Sequence, residues 1–125
     1  MNLAQVMFVF LGGGLGSLLR FFVSRFFNVL LAFNLPLATF SSNILSIVIM
    51  LLAYYFAELK PQSAESVKFF ILIGFCGGLS TFSTFSFETA ELFRRGELYW
   101  AVSNIILNNL LCIGAAYFFY SRVSN

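Results

Sequence analysis

There is no histidine in the chain. Its absence removes the usual acid–base side chain at neutral pH and the commonest transition-metal ligand. Cysteine is scarce too. Cys76 and Cys112 stand far apart, each inside an apolar run, and form no CxxC pair, so neither a disulfide nor a zinc site is expected. Charge is thin: 7 Lys and Arg against 5 Asp and Glu make up 10% of the residues, where a soluble domain carries about a quarter. The net charge of +2 is too small to suggest a nucleic-acid partner. The first residues, MNLAQV, lack a basic n-region and a clear cleavage site, so they read as the start of a span and not as a removable signal. No short internal repeat and no low-complexity stretch is present. No nucleophile–base pair is visible, and an enzyme is not expected.

What fills the chain is apolar. Hydrophobic residues make up 60% of it and mean hydropathy is +0.92. A bilayer core takes roughly 20 apolar residues per spanning helix. Four such segments fit, at about 3–27, 37–56, 69–93 and 98–120, with little left for a soluble domain. The fold class is therefore all-α, a single four-helix transmembrane domain in contact with lipid.

The first span carries Gly12, Gly13, Gly14 and Gly16, small residues that let helix backbones approach closely in a bilayer. Arg25 reads as a side chain that snorkels to one interface, whereas Arg20, deeper in, either snorkels or lines a water-filled vestibule. After a turn near Asn28–Pro36, the second span places Thr39, Ser42, Asn43 and Ser46 at i, i+3, i+4 and i+7, one face that should point into the bundle. Asn43 there is either interhelical glue or a donor to a permeating anion or to the third span. The most polar stretch, Glu58–Lys68, follows, and Pro61 stops any helix continuing from the second span.

The third span holds the stretch GFCGGLSTFSTFSFE, from Gly74 to Glu88. Gly74, Gly77 and Gly78 run into Ser80, Thr81, Ser83, Thr84 and Ser86, inside lipid that offers polar groups no partners. Either the helix breaks here, or the glycines pack helices and the hydroxyls bond back to carbonyls four residues earlier. A break would free carbonyls suited to an alkali cation and N–H groups that attract anions. Thr81, Thr84 and Glu88 fall on one stripe, with Phe82 and Phe85 beside it. The positive edges of two phenyl rings can receive a small anion without formal charge; as the alternative, the rings merely fill space. In the fourth span Asn104, Asn108 and Cys112 share a face that should meet a polar face elsewhere.

Four spans put both termini on one side. Lys60, Lys68 and Arg122 lie toward that side, and Arg20, Arg25, Arg94 and Arg95 toward the other. So even a division gives the positive-inside rule almost nothing to act on. Dual topology follows as an expectation, and with it an antiparallel homodimer.

GGGLGSLLRF (Gly12–Phe21), TFSSN (Thr39–Asn43) and above all GFCGGLSTFSTFSFE resemble the bacterial Fluc/CrcB fluoride channels, over all four spans in order. The resemblance implies a fluoride-selective channel of the bacterial inner membrane that lets toxic cytoplasmic fluoride leave passively. It implies an antiparallel dual-topology dimer with two pores, and a structural sodium at the dimer centre held by the backbone carbonyls of Gly77 and Ser80. Carried over by motif position, the fluoride pathway comprises Asn43, Phe82, Phe85, Thr81, Ser83 and Thr84, with Arg20 near the vestibule and Glu88 closing the motif. Asn108 of the fourth span is included, although relatives often have small hydroxyl residues or glycine in that stretch. Ser46 stands where many relatives have glycine. Two other classes remain as alternatives: a small dual-topology drug/proton exporter, which needs an embedded acid that the first span lacks, and a non-transporting assembly subunit.

Overall fold

The structure, a computed structural model, describes residues 2–30 and 36–123. The expected turn between the first two spans falls largely on residues 31–35, outside the described residues, and α1 already carries Asn28. Helix α1 runs Leu3–Leu30 and α2 Leu37–Leu59. The third span is composite: α3 (Ala64–Val67), a π-helical segment (Lys68–Phe75), α4 (Cys76–Leu79), then α5 (Phe82–Arg94). Helix α6 is Leu98–Val123. Among the described residues four stretches are long and apolar enough to cross a membrane, the third counted from Ala64 to Arg94.

The helices reach beyond the apolar runs because nothing stops them where polarity begins. The turn that contains Glu65 and Lys68 is helical, although the sequence reads it as loop. Pro61 behaves as expected: α2 ends at Leu59, and the proline opens a short 3-10 turn where its missing N–H costs nothing. The π segment has no signal in the sequence. Its wider winding is marked by the Cys76 N–H, which donates to the Ile71 carbonyl five residues back.

The third span breaks at Ser80 and Thr81. Both residues are extended, with φ, ψ of −79°, 154° and −153°, 119°. The break lets one span serve two partners. Its first half, 64–79, packs along α1, and its second half, α5, packs on α6, while α2 touches both halves. The glycines settle on the packing side of the two readings. Gly12 and Gly16 of α1 face Gly74 and Gly78, two GxxxG pairs in register, and a Cβ at Gly12 or Gly16 would collide with the Phe70 or Phe75 carbonyl oxygen. Gly77 is not part of this seam; it is exposed, with open space around it.

The interior is polar where a soluble core would be apolar. Among the described residues, buried Thr39, Ser42, Ser46, Thr81, Thr89, Asn104 and Asn108 outnumber the buried apolar residues, of which Leu79, Phe85 and Leu92 are the largest. The polar face expected on α2 does point inward. Outward, only 11% of the most apolar windows of α1 and α6 is buried within the protomer, which leaves their apolar surface to lipid or to another chain.

Helix α5 ends on Gly96 at φ 77°, where the Glu97 N–H reaches the Leu92 carbonyl and the Gly96 N–H the Phe93 carbonyl, a Schellman-type stop. Any Cβ at this φ is strained. Gly96→Ala should therefore lower stability by about 1–2 kcal/mol, read as an earlier thermal unfolding in detergent, with no effect on the break.

Candidate functional site at the helix break

The extended Thr81 sets the chemistry of the site. In a continuous helix its N–H would go to the Gly77 carbonyl. Here it donates instead to Asn43 Oδ1 at 3.0 Å, across from α2. The last helical bond of the first half is Ser80 N–H to the Cys76 carbonyl, at 2.9 Å. That same carbonyl also accepts from the hydroxyls of Ser80 at 2.8 Å and Ser46 at 3.0 Å. Ser46 thus ties α2 to the end of α4.

The second half starts with a side-chain cap. Thr81 Oγ1 accepts the Thr84 N–H at 3.3 Å and lies 3.1 Å from Thr84 Oγ1 and 3.2 Å from Ser83 Oγ. The N–H groups of the first turn of a helix have no intrahelical acceptor, and its dipole adds partial positive charge there. This end of α5 borders a groove of about 270 Å3 lined by Asn43, Ser46, Ser80, Thr81, Phe82, Phe85 and Asn108, with Cys112 at its α6 side. No lining residue carries formal charge.

Five of the sequence-derived pathway residues therefore meet in one place: Asn43, Thr81, Phe82, Phe85 and Asn108. The rings of Phe82 and Phe85 lie 5.6 Å apart, tilted by 41°. Phe85 is buried at 8% exposure, but Phe82 is 77% exposed, projecting from the protomer. Asn43 joins the helices, as one of its two readings had it, and it also borders the groove. Its oxygen holds the break, and one of its N–H groups donates to Asn108 Oδ1 at 3.0 Å. Asn108 turns its own Nδ2 to the Asn104 carbonyl and Oδ1, at 3.1 and 2.8 Å, which makes it a strut more than a free donor.

The rest stand off the groove. Ser83 and Thr84 connect to it through Thr81 alone. Glu88 lies nearly two turns along α5, where Oε1 accepts from the Thr39 hydroxyl at 2.9 Å and Oε2 is buried without a partner among the described residues. Arg20 is half-buried, one turn beyond Gly16 on the face that packs against the first half of the third span. The pairings themselves escaped the sequence reading, Thr39 with Glu88 and Asn104 Nδ2 with Thr89 Oγ1 at 2.9 Å among them. Thr39 and Asn104 were visible as polar residues on inward faces and Glu88 as part of a polar stripe, whereas Thr89 carried no such signal. The pairing was not visible, because one sequence does not say which faces meet.

Gly77 offers the other feature of a broken helix. Its carbonyl has lost the Thr81 donor, and its Cα is open on the outside of the protomer. Among the described residues no cluster of His, Cys, Asp or Glu suited to a metal is found, so a cation here would meet backbone oxygens. A neutral, acceptor-only carbonyl fits an alkali cation better than a transition metal.

The family described as CrcB-like protein, Camphor Resistance (CrcB), matches residues 7–120. A fluoride-specific ion channel FluC of Serratia proteamaculans is 42% identical over 106 residues, 85% of this chain and 83% of that protein. The protein of the same name from Pyrococcus abyssi is 41% identical over 115 residues, 90% of each chain; that from Shewanella halifaxensis is 38% identical over 113 residues. With the match running through all four spans and the break within the third, the chain belongs to the CrcB family.

Proposed function

We infer that this chain is a multi-pass membrane channel that conducts fluoride passively and thereby lowers fluoride inside the cell. The observation that carries this is the uncharged groove at the helix break, whose described lining offers neutral hydroxyls and carboxamides beside phenyl rings. Fluoride is small and strongly hydrated, so a pore must replace its water with donors. A fixed positive charge would hold the ion too tightly; conduction needs sites favourable enough to enter and weak enough to leave. Asn43, the Thr81 hydroxyl and the edges of Phe82 and Phe85 meet that requirement. Ser83 and Thr84 extend the hydroxyl track, Asn108 steadies Asn43, and Glu88 with Thr39 forms the next polar station along α5. Arg20, outside the groove, raises the local anion concentration by its field.

The working unit in this reading is two copies in antiparallel orientation. The near-even division of basic residues supports it, as do the 77% exposure of Phe82 and the thin burial of α1 and α6. A second copy would cover Phe82 and close a groove that is open in one protomer. The carbonyls of Gly77 and Ser80, with their counterparts in the second copy, would hold a structural sodium. When bound, the ion would supply positive charge that neutralises carbonyl dipoles brought together by the two breaks.

The test is efflux from proteoliposomes followed with a fluoride electrode, with chloride run in parallel. Fluoride should leave and chloride should stay. Retention of both, or equal loss of both, would rule the function out. Phe82→Ile and Phe85→Ile should each slow fluoride efflux at least about tenfold, equivalent to about 1.4 kcal/mol, near what an aromatic contact contributes. Both variants should still elute as dimers. Unchanged rates in both would remove the rings from the pathway.

A further inference from the structure

Asn104 and Thr89 do not line the groove, yet they complete a hydrogen-bonded circuit around the first turn of α5. The Thr81 N–H donates to Asn43 Oδ1, and Asn43 Nδ2 to Asn108 Oδ1. Asn108 Nδ2 then donates to Asn104 Oδ1, Asn104 Nδ2 to Thr89 Oγ1, and Thr89 Oγ1 to the Phe85 carbonyl at 2.7 Å. The circuit leaves the backbone at Thr81 and returns to it at Phe85, four residues on, after crossing α2 and α6. Thr89, Asn104 and Asn108 are all buried.

Its direction has no freedom. A backbone N–H only donates and a carbonyl only accepts, so the two ends fix the sense of every bond between them. A carboxamide can otherwise turn over, exchanging its oxygen for its nitrogen. Here, turning Asn43 or Asn108 would set nitrogen against nitrogen on one side and oxygen against oxygen on the other, and turning Asn104 would set nitrogen against nitrogen at Asn108 and draw the Thr89 hydrogen away from the Phe85 carbonyl. The consequence falls on Asn43. With its oxygen committed to Thr81 and one N–H to Asn108, only its second N–H remains for the groove.

We propose that Asn104 and Thr89 are positioning residues that hold the Asn43 carboxamide with its N–H, and not its oxygen, toward the permeating anion. Neither touches the ion. They act by supplying the far end of the circuit: Asn104 gives Asn108 an acceptor, and Thr89 gives Asn104 one while passing its own hydrogen to Phe85. Without that end, Asn108 keeps only the Asn104 backbone carbonyl, at 3.1 Å, as acceptor for its Nδ2; its hold on Asn43 weakens, and the Asn43 amide turns more readily, presenting its oxygen to the groove and releasing the Thr81 N–H. The proposal rests on the fluoride-channel reading for its effect on flux, but its effect on Thr81 is independent of it.

The experiment compares Thr89→Val, which keeps the shape and loses the hydroxyl, with Thr89→Ser, which keeps the hydroxyl. Two quantities are read on the full-length protein: hydrogen exchange of the Thr81 amide in detergent, and fluoride efflux from proteoliposomes. Thr89→Val should speed Thr81 exchange and slow efflux, each roughly 3- to 30-fold, the range of one interhelical hydrogen bond in a membrane protein. Thr89→Ser should stay near the starting protein in both. Asn104→Leu should match Thr89→Val, and the double variant should be no worse than either single, since all cut one circuit. Should Thr89→Val fail to assemble, Asn104→Leu decides by the same two readings. Equal Thr81 exchange in the Val and Ser variants, or additive effects in the double variant, would overturn the proposal. An unmodified protein that carries no fluoride would refute the channel reading, with Thr81 exchange still deciding for or against the circuit.

Discussion

Gly16→Ala is expected to yield little or no folded protein, whereas Gly13→Ala, a few residues away on the same helix, should be tolerated. The difference lies in what one methyl group meets. At Gly16 it would run into the Phe75 carbonyl oxygen and come within 2.9 Å of the Leu79 nitrogen, both backbone atoms of the segment leading to the break. Backbone does not move aside as a flexible side-chain tip does. At Gly13 the nearest atom is the Gly74 oxygen at 3.8 Å, an ordinary contact. Overpacking costs about 1–3 kcal/mol when side chains can adjust, and the upper end or more when they cannot. Little offsets it, because helix association in lipid rests on close packing without a hydrophobic drive. Gly78→Ala repeats the test from the other helix, where the new Cβ would strike the Gly13 carbonyl. The measurement is the yield of monodisperse protein after extraction, with Gly13→Ala as the reference. Equal yields for Gly13→Ala and Gly16→Ala would mean that the α1 seam does not hold the first half of the third span in place.

That seam shows where sequence reading succeeds and where it stops. Gly12 and Gly16 in a bilayer imply close packing, and Gly74 and Gly78 carry the same spacing. Which helix each pair faces is a fact of tertiary structure. The break illustrates the same limit from another side. Glycines followed by hydroxyls raised two possibilities, and both hold, at different residues: Gly74 and Gly78 pack, Ser80 and Thr81 unwind, and Ser86 and Thr89 bond back to the carbonyls of Phe82 and Phe85. The unwinding needs an acceptor for the Thr81 N–H, and Asn43 provides it from 38 residues earlier in the chain. The inward polar faces of α2 and α6 were legible because helical periodicity is local. The π winding of Lys68–Phe75 left no trace in composition, since it depends on how the segment seats against α1.

Asn43→Asp should reduce fluoride efflux at least about a hundredfold, the largest loss expected of any substitution that leaves the fold recognisable. The aspartate has nearly the same shape. One of its oxygens can still accept the Thr81 N–H, so the break and the cap of α5 should persist. The other oxygen replaces Nδ2 and faces Asn108 Oδ1, formerly 3.0 Å from a donor and now opposed to another acceptor. The groove loses its amide hydrogen and gains an acceptor and, when ionised, a negative charge at the point where the anion must shed water. Repulsion between two unit charges at 4 Å is about 4 kcal/mol at an effective dielectric of 20, and a hundredfold rate change needs only about 2.7 kcal/mol. The charge term alone is therefore sufficient. Efflux should recover in part under acidic conditions that neutralise the carboxyl: the repulsion then vanishes and the carboxyl O–H can donate to Asn108 Oδ1, but the second amide hydrogen, the one left for the groove, does not return. Asn43→Leu adds no charge but removes the acceptor of the Thr81 N–H along with the donors, so it should lose efflux together with the break. An aspartate variant that assembles as a dimer and conducts at the original rate would show that the ion passes elsewhere, and that Asn43 serves only to hold the helix open.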